Sequence, residues 1–435
     1  MILLPTLLAC SAPALLDTSS AVEDTRSDTA PQDTGAPQDT GDSAAPCTPQ
    51  PAVEGAYVDA FAVNRVSGSL SECEGAIHAV AGPKGAEIEL YLADWSSTSL
   101  AEWNLRTVGG DLLGEGELMW GERVEIQLPW TGEFLVELRP LDDSASDYGL
   151  EAECIRNCQA AWTRYPLFFM HGVAGTEAFI GVLDYWYGVD DALSDAGYVV
   201  WISDVDPYQQ TSVRGQQWVD NLEGFLADGK HRRVNLVGHS QGGVDARHVT
   251  SQLDPQAHVA SVTTIASPHR GTPIADIATG VVDSSLLTQI LVDGAIDALM
   301  LFYGNSNDQD VASMVAQMST EGMAQFNAEN PDRADVMYQS WTGVTCGELD
   351  FGCQSSHSGE VVTPVFSVTR TILDLQGIDS DGLIPVDSAK WGTYHGTIDA
   401  DHIDQIGQIA GATAPGFEHL DFYGEIAASL AEQGF

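Results

Sequence analysis

The chain predicts an α/β fold: a mostly parallel central sheet flanked by helices, preceded by a small all-β sandwich. Three observations carry that expectation. From Tyr165 onward, apolar strand-like runs alternate with amphipathic helix-like ones, the pattern of parallel strands joined by crossover helices. Between residues 47 and 158 the runs are short, alternate with period two and are divided by Gly, Pro and Asp, as antiparallel strands are. Third, the buried-strand pattern of Val234 to Val237 runs into Gly238-His239-Ser240-Gln241-Gly242, and a helical pattern follows from Val244.

The 435 residues, 44% of them hydrophobic, suffice for two domains with cores of their own. Acidic residues number 63 and basic ones 17, a formal charge of −46. Residues 17–46 hold seven acids and one arginine, a net −6, so the remainder still carries −40. Such a surface excludes nucleic acid as a partner, because phosphate binding needs cationic side chains. It also repels anionic lipid headgroups.

Residues 1–16 read as a lipoprotein-type signal. Met1 to Ala9 is apolar, and Leu7-Leu8-Ala9-Cys10-Ser11 resembles the lipobox of bacterial lipoproteins, which makes Cys10 the lipidated residue. The expected location is extracellular or at the cell surface, as an outer-membrane lipoprotein. Six cysteines remain (Cys47, Cys73, Cys154, Cys158, Cys346, Cys353), an even number suited to an oxidising compartment. No later stretch is long and apolar enough to span a bilayer. Residues 17–46 repeat Ala-Pro-Gln-Asp-Thr-Gly at 30–35 and 36–41 and contain little that can be buried, the composition of a disordered acidic linker. A flexible linker of that length spans on the order of 30 Å.

The sandwich occupies residues 47–158, with strands expected at Glu87–Leu92, Val124–Leu128, Glu133–Leu138 and Asp147–Cys154. Its last part resembles the prepeptidase C-terminal sandwich of secreted bacterial enzymes. Cys73 with Cys154, and Cys47 with Cys158, are the expected staples. In residues 159–435, strands are expected at Pro166–Met170, Tyr198–Ile202, Val259–Ala266 and Tyr338–Val344, besides the one before Ser240. Helices are expected at Phe179–Ala196, Val213–Leu226 and Phe417–Gln433.

A Gly-x-Ser-x-Gly sequence between a strand and a helix is the nucleophile elbow of an α/β-hydrolase. The bend pushes the serine out of the sheet, and Gly238 and Gly242 remove Cβ atoms that so sharp a turn would bring into collision. The helix that follows aims N–H groups at the site, where an oxyanion can be held. Serine needs a base, and the base an orienting carboxylate. Spacing alone leaves His269, His357, His395, His402 and His419 as bases, with carboxylates at Asp379, Asp381, Asp401 and Asp404.

Seven stretches in order resemble the Pseudomonas/Burkholderia family of bacterial triacylglycerol lipases. They are Tyr165 to Thr176, Val182 to Gly188, Arg232 to Gly243, Val262 to Thr272, Ser340 to Gly343, Asp381-Gly382, and His402 to Gln408. The resemblance spans about residues 164–415. It implies Ser240 as nucleophile, Asp381 as acid and His402 as base, with Asp379 the runner-up acid because it lacks the following glycine. It places the oxyanion hole at the backbone N–H groups of Val173 and Gln241. It further implies a structural Ca2+ held by Asp404, the Gln408 and Ala412 carbonyls and an acid in the position of Glu360, a donor set of hard oxygens.

The same resemblance implies a lid at about residues 273–325, where Ser284 to Phe302 has an apolar helical face. The family's disulfide near the catalytic acid has no counterpart, since 383–392 contains no cysteine; Cys346 and Cys353 are expected to close a local loop. The function expected is a secreted or surface-tethered serine ester hydrolase, a triacylglycerol lipase acting on lipid at an interface. A short-chain esterase or a polyester depolymerase would use the same residues. A lipase-specific foldase, and a carbohydrate or protein ligand for the sandwich, are the further partners expected. A surface-binding protein on a reused hydrolase fold is the alternative of another class, and it would need none of the three catalytic side chains.

Overall fold

The computed structural model describes residues 53–54, 57–62, 64–70, 75–95, 101–119, 121–141, 146–173, 175, 184–280, 310–408 and 410–435. The signal with Cys10, the linker, Cys47, Cys73 and the central lid helix lie outside the described residues. Among the described residues, no helix is long and apolar enough to cross a membrane.

The first nine strands are β1 (Val53–Glu54), β2 (Arg65–Leu70), β3 (Ala76–Gly82), β4 (Glu87–Trp95), β5 (Ala101–Thr107), β6 (Leu112–Leu118), β7 (Arg123–Gln127), β8 (Gly132–Pro140) and β9 (Ser146–Arg156). They form two sheets, ordered β1-β3-β8-β5-β6 and β2-β9-β4-β7. Alternation decides what each strand buries. Ile88, Leu90 and Leu92 of β4 share one core with Phe134, Val136 and Leu138 of β8, and each such side chain contributes about 1.5–3 kcal/mol when fully buried.

The same alternation turns Glu133 to the opposite face, toward the second half of the chain. It is 2% exposed and pairs with Arg164 and with Arg232 Nε at 2.7 Å. The Arg164 guanidinium also lies 3.8 Å from the centre of the Tyr57 ring. Glu133→Gln is expected to destabilise the protein by about 1–3 kcal/mol. That is less than the roughly 3–5 of a fully buried pair, because Arg232 is 37% exposed and water screens it. Chemical denaturation checks this; a variant as stable as the parent would mean that the ion cluster does not tie the two halves together.

The second half holds β10 (Leu167–Met170), α1 (Val189–Ala196), β11 (Val200–Ile202), α2 (Thr211–Leu226), β12 (Val234–His239), α3 (Gln241–His248), β13 (Val259–Ile265), α4 (Pro273–Ala278), α5 (Val311–Gln317), α6 (Thr320–Glu329), β14 (Met337–Val344), α7 (Phe351–Ser356), α8 (Ser367–Leu375), α9 (Val386–Ala389), β15 (Thr393–Asp399) and α10 (His419–Glu432). The sheet order is β11-β10-β12-β13-β14-β15 and every pairing is parallel. Helices cover both faces, which is why β10, β12 and β13 are buried along their whole length. Leu167, Phe169 and Val237 pack with Tyr423 and Ile426 of α10 on one face. Phe168, Met170 and Leu236 pack with Trp218 and Leu222 of α2 on the other.

Three expectations need correction. Where the sequence predicts a helix from Phe179, the described part of α1 begins only at Val189, after Gly188 in a left-handed turn (φ 68°). The backbone ahead of it is captured by tertiary contacts: Gln408 Nε2 donates to the Asp184 carbonyl, and His419 Nε2 lies 2.8 Å from the Tyr187 carbonyl. The sixth strand, β15, has no counterpart among the expected elements, because Gly396 and its exposed neighbours break the alternation that marks a strand. The cysteine staples differ too. Cys154 bonds Cys158, not Cys73, because the chain doubles back after β9 at Asn157 (φ 57°); Cys158 is therefore not free for Cys47. Cys346 and Cys353 do close a local loop, with a Cα–Cα distance of 5.6 Å.

Candidate active site

β12 ends at His239 and α3 begins at Gln241, so Ser240 alone makes the bend, at φ 55° and ψ −127°. A non-glycine residue holds such a conformation only when its surroundings fix it. Ser240 N–H donates to the Ile265 carbonyl at 2.9 Å, which anchors the bend to β13. A Cβ on Gly238 would lie 2.5 Å from the Gly243 nitrogen, so the approach of α3 to its own strand requires glycine there.

The parallel sheet places the loops at the carboxyl ends of its strands together, and three sequence-expected residues meet there. His402 Nε2 lies 2.9 Å from Ser240 Oγ, and His402 Nδ1 lies 2.7 Å from Asp381 Oδ2. Asp381 is fully buried. Its Oδ1 accepts the Leu383 and Ile384 N–H groups at 3.0 and 2.7 Å, and its Oδ2 also accepts Gln405 Nε2 at 3.1 Å. Four donors thus hold one carboxylate, and the turn after Gly382 (φ 92°) supplies two of them. Asp379, the runner-up, is exposed.

The other histidines have structural partners. His269 contacts Thr264 Oγ1 at 3.0 Å, His357 pairs with Asp399 at 2.8 Å, His395 stacks on Trp341, and His419 contacts the Tyr187 carbonyl.

Opposite Ser240 runs the loop from His171 to Val173. Arg214 Nη2 donates to the His171 carbonyl at 2.5 Å, while its Nε pairs with buried Asp245 at 2.6 Å. The His171 ring accepts Val205 N–H at 3.1 Å through Nε2, which leaves Nδ1–H to donate to the Gly172 carbonyl at 2.7 Å. Burial first, then the Arg214 charge, hold His171 well below the ordinary histidine pKa, as a neutral ring. In a trans peptide, N–H points away from the preceding C=O, so pinning the Gly172 carbonyl also fixes the direction of Val173 N–H. Gln241 N–H, in the first turn of α3, has no carbonyl of its own helix to pair with.

Val173, Ser240 and Gln241 line a cleft together with Ile274, Val315, Met318, Leu383 and Ile384. Apart from Ser240, Gln241 and Thr272 the wall is apolar, so it suits a hydrocarbon chain beside a reacting carbonyl. Helices α4 and α5 flank it, and the segment between them lies outside the described residues.

Behind His402, Glu360, Asp401 and Asp404 are all buried, each with an oxygen within 4.8 Å of the others. Burial raises the pKa of Glu360 to about 7, and burial with the charges of Asp401 and Glu360 raises that of Asp404 to about 8. Thr345 donates to Glu360 Oε1 at 2.7 Å, whereas Oε2 is buried without a hydrogen-bond partner. Asp401 spends its oxygens on the N–H groups of Ile403, Asp404 and Thr363, so it mainly shapes the turn that carries His402. A hard divalent cation fits carboxylates gathered in this way. Gln408 is buried and its side chain is committed to the Asp184 carbonyl. Ala412 lies exposed in the following loop, whose Ala414 N–H donates to Asp404.

Sequence reasoning missed Asp401 as a member of this acidic group, and it missed Arg214 and Tyr185 altogether. An acid three residues before Asp404, in the geometry of an Asx turn, was the available signal for the first. The partners of the other two are set by the fold alone.

A family model described as alpha/beta hydrolase fold matches residues 165–321. A triacylglycerol lipase of Vibrio cholerae is 28% identical over 290 residues, 60% of this chain and 86% of the relative. One from Pseudarthrobacter phenanthrenivorans is 35% identical over 178 residues, 39% of this chain, and there the chain spans 55% of the relative's length. One from Pseudomonas fragi is 25% identical over 294 residues, 62% of this chain and 98% of the relative. With the parallel sheet and the elbow at its centre, these relatives make the chain a carboxylic ester hydrolase on the α/β-hydrolase fold.

Proposed function

We propose that the protein is a secreted or surface-tethered triacylglycerol lipase that works through an acyl-enzyme on Ser240. The observation that carries this reading is the hydrogen-bonded chain Ser240–His402–Asp381 opening on an aliphatic cleft. Ser240 Oγ attacks the ester carbonyl as His402 Nε2 takes its proton. The oxyanion is held by the N–H groups of Val173 and Gln241. The tetrahedral adduct collapses, the alcohol leaves with the proton from His402, and Ser240 stays acylated. Water then attacks the acyl carbon as His402 takes its proton, the second tetrahedral adduct collapses, and His402 returns that proton to Ser240 Oγ as the carboxylic acid departs. Asp381 holds the imidazole tautomer throughout.

Hydrolysis of p-nitrophenyl esters from short to long acyl chains, and of a triacylglycerol emulsion, tests the reading. Turnover of long chains is expected. Activity confined to short chains would make the protein an esterase with the same machinery, and activity on none would overturn the reading. Secretion, a foldase and a ligand of the sandwich belong to the same proposal; refolding of the purified chain to full activity without helper proteins would remove the foldase.

Ca2+ belongs to the proposal as well, held by Glu360 and Asp404 with Asp401 beside them and the Gln408 and Ala412 carbonyls of the following loop. Bound there, it supplies the positive charge that the buried carboxylates lack and stiffens the loop that bears His402. At a hundred times its Kd, such an ion stabilises the fold by about 2.7 kcal/mol. The unfolding midpoint is expected to fall on chelation in the parent and to be insensitive to Ca2+ in Glu360→Gln. Equal midpoints with and without Ca2+ in the parent would rule the site out.

A further inference from the structure

The two oxyanion donors, Val173 and Gln241, sit on segments far apart in the chain, and the last backbone pairing between β10 and β12 is Met170 with Gly238. Beyond that pair β10 ends, and side chains hold the His171–Val173 loop at a fixed distance from Ser240. We infer that Tyr185 is this positioning residue: its hydroxyl ties the oxyanion loop to the nucleophile elbow. The inference rests on the ester-hydrolase reading of the site.

Gly172 N–H donates to Tyr185 Oη at 2.9 Å, and Tyr185 Oη lies 2.7 Å from Nδ1 of His239, the residue before Ser240. A phenol has one hydrogen. With Oη accepting from Gly172, we assign that hydrogen to His239 Nδ1, which makes His239 the neutral Nε2–H tautomer. Tyr185 and His239 are both buried, and burial raises the pKa of the phenol and lowers that of the imidazole, so each keeps the protonation this chain of bonds requires.

The bonds act on one peptide plane from both ends. Tyr185 holds the Gly172 N–H, and Arg214 holds the His171 carbonyl of the same peptide unit. The next plane, which carries Val173 N–H, can tilt only if this one does. Space is equally tight: a Cβ on Gly172 would lie 2.7 Å from both Ser240 Cβ and Tyr185 Oη. The His239 ring in turn lies 4.6 Å from the His402 ring, centre to centre. A neutral His239 at that position does not oppose the positive charge that His402 gains when it takes the serine proton.

Tyr185→Phe keeps the ring and its contact with Trp186 at 5.2 Å but removes both hydrogen bonds. The comparison uses the full chain with p-nitrophenyl butyrate, a butylboronic acid that forms a tetrahedral adduct on Ser240, and a phosphonate titration that counts folded, reactive serine. The expected result is a loss of kcat of about 10- to 100-fold, below the roughly 10²–10³ of a deleted oxyanion donor. KM should stay within about twofold, as expected for an interaction made only in the transition state. Boronate affinity should fall by the same factor as kcat, with the titratable serine and the unfolding midpoint preserved. Unchanged kcat would overturn the inference, as would a loss of kcat at constant boronate affinity or one matched by lost titratable serine. A parent protein inert toward every ester would overturn the functional reading itself, an outcome seen before any variant is compared.

Discussion

Ser240→Ala lowers kcat for ester hydrolysis by about 10⁴–10⁶-fold. The nucleophile, its base and its acid act as one unit, so removing the oxygen that His402 deprotonates costs about as much as removing the whole set. What remains, roughly 10³-fold over water, comes from the oxyanion donors and the cleft. The substituted alanine must adopt the same φ of 55° as Ser240, so the strain of the bend is retained and stability changes by no more than about 1 kcal/mol. Binding to a triacylglycerol emulsion should survive. Retention of a tenth or more of the parent rate would place the nucleophile elsewhere. Full retention of binding in a parent that hydrolyses nothing would favour a surface-binding protein.

Asp381→Asn is expected to lower kcat by about 10³–10⁴-fold. The carboxylate accepts from four donors: two backbone N–H groups, Gln405 Nε2 and His402 Nδ1. An amide has one oxygen and one NH2, so at least one of these donors must face another donor. If the oxygen stays with Leu383 and Ile384, the NH2 faces His402 Nδ1 and forces the ring into the tautomer whose Nε2 carries a proton. That tautomer cannot deprotonate Ser240 at 2.9 Å. If the amide flips, the buried Ile384 N–H and the half-buried Leu383 N–H lose their acceptor, and the buried one alone costs about 1–3 kcal/mol of stability. The measurement is kcat beside a denaturation curve. A loss of stability with kcat preserved would mean that Asp381 shapes the loop but does not orient the base.

Much of the fold was legible because it rests on local patterns. The period-two runs of β4, β7, β8 and β9 and the apolar runs of β10, β12, β13 and β14 are set by which face meets a core. Elements shaped by distant partners were not. The turn before α1 is held open by Gln408 and His419, 224 and 232 residues from the carbonyls they contact, and no local pattern records that. The expected pairing of the sandwich cysteines failed for a related reason, whereas the local Cys346–Cys353 loop formed as expected. The positive φ at Asn157 that lets Cys158 return to Cys154 is a conformation, and residue type alone does not specify it.

For the site, the sequence by itself determined the chemistry available: a serine between glycines on a strand-to-helix bend, histidines after it, and carboxylates near them. The motif could do so because a bend that tight tolerates few residue types. The family resemblance singled out His402 and Asp381, but only the tertiary structure puts them within hydrogen-bonding reach of one another, turns Asp379 to solvent while burying Asp381, and brings Asp401 together with Glu360 and Asp404. Hydrogen bonds and charge interactions depend on distance through space, and parallel strands bring together Ser240 and His402, which lie 162 residues apart in the chain. Tyr185 is the clearest case. Its stretch, Val182 to Gly188, carries the family resemblance but no motif that assigns the residue a task, and its hydroxyl acquires a role only because the fold sets it between Gly172 and His239.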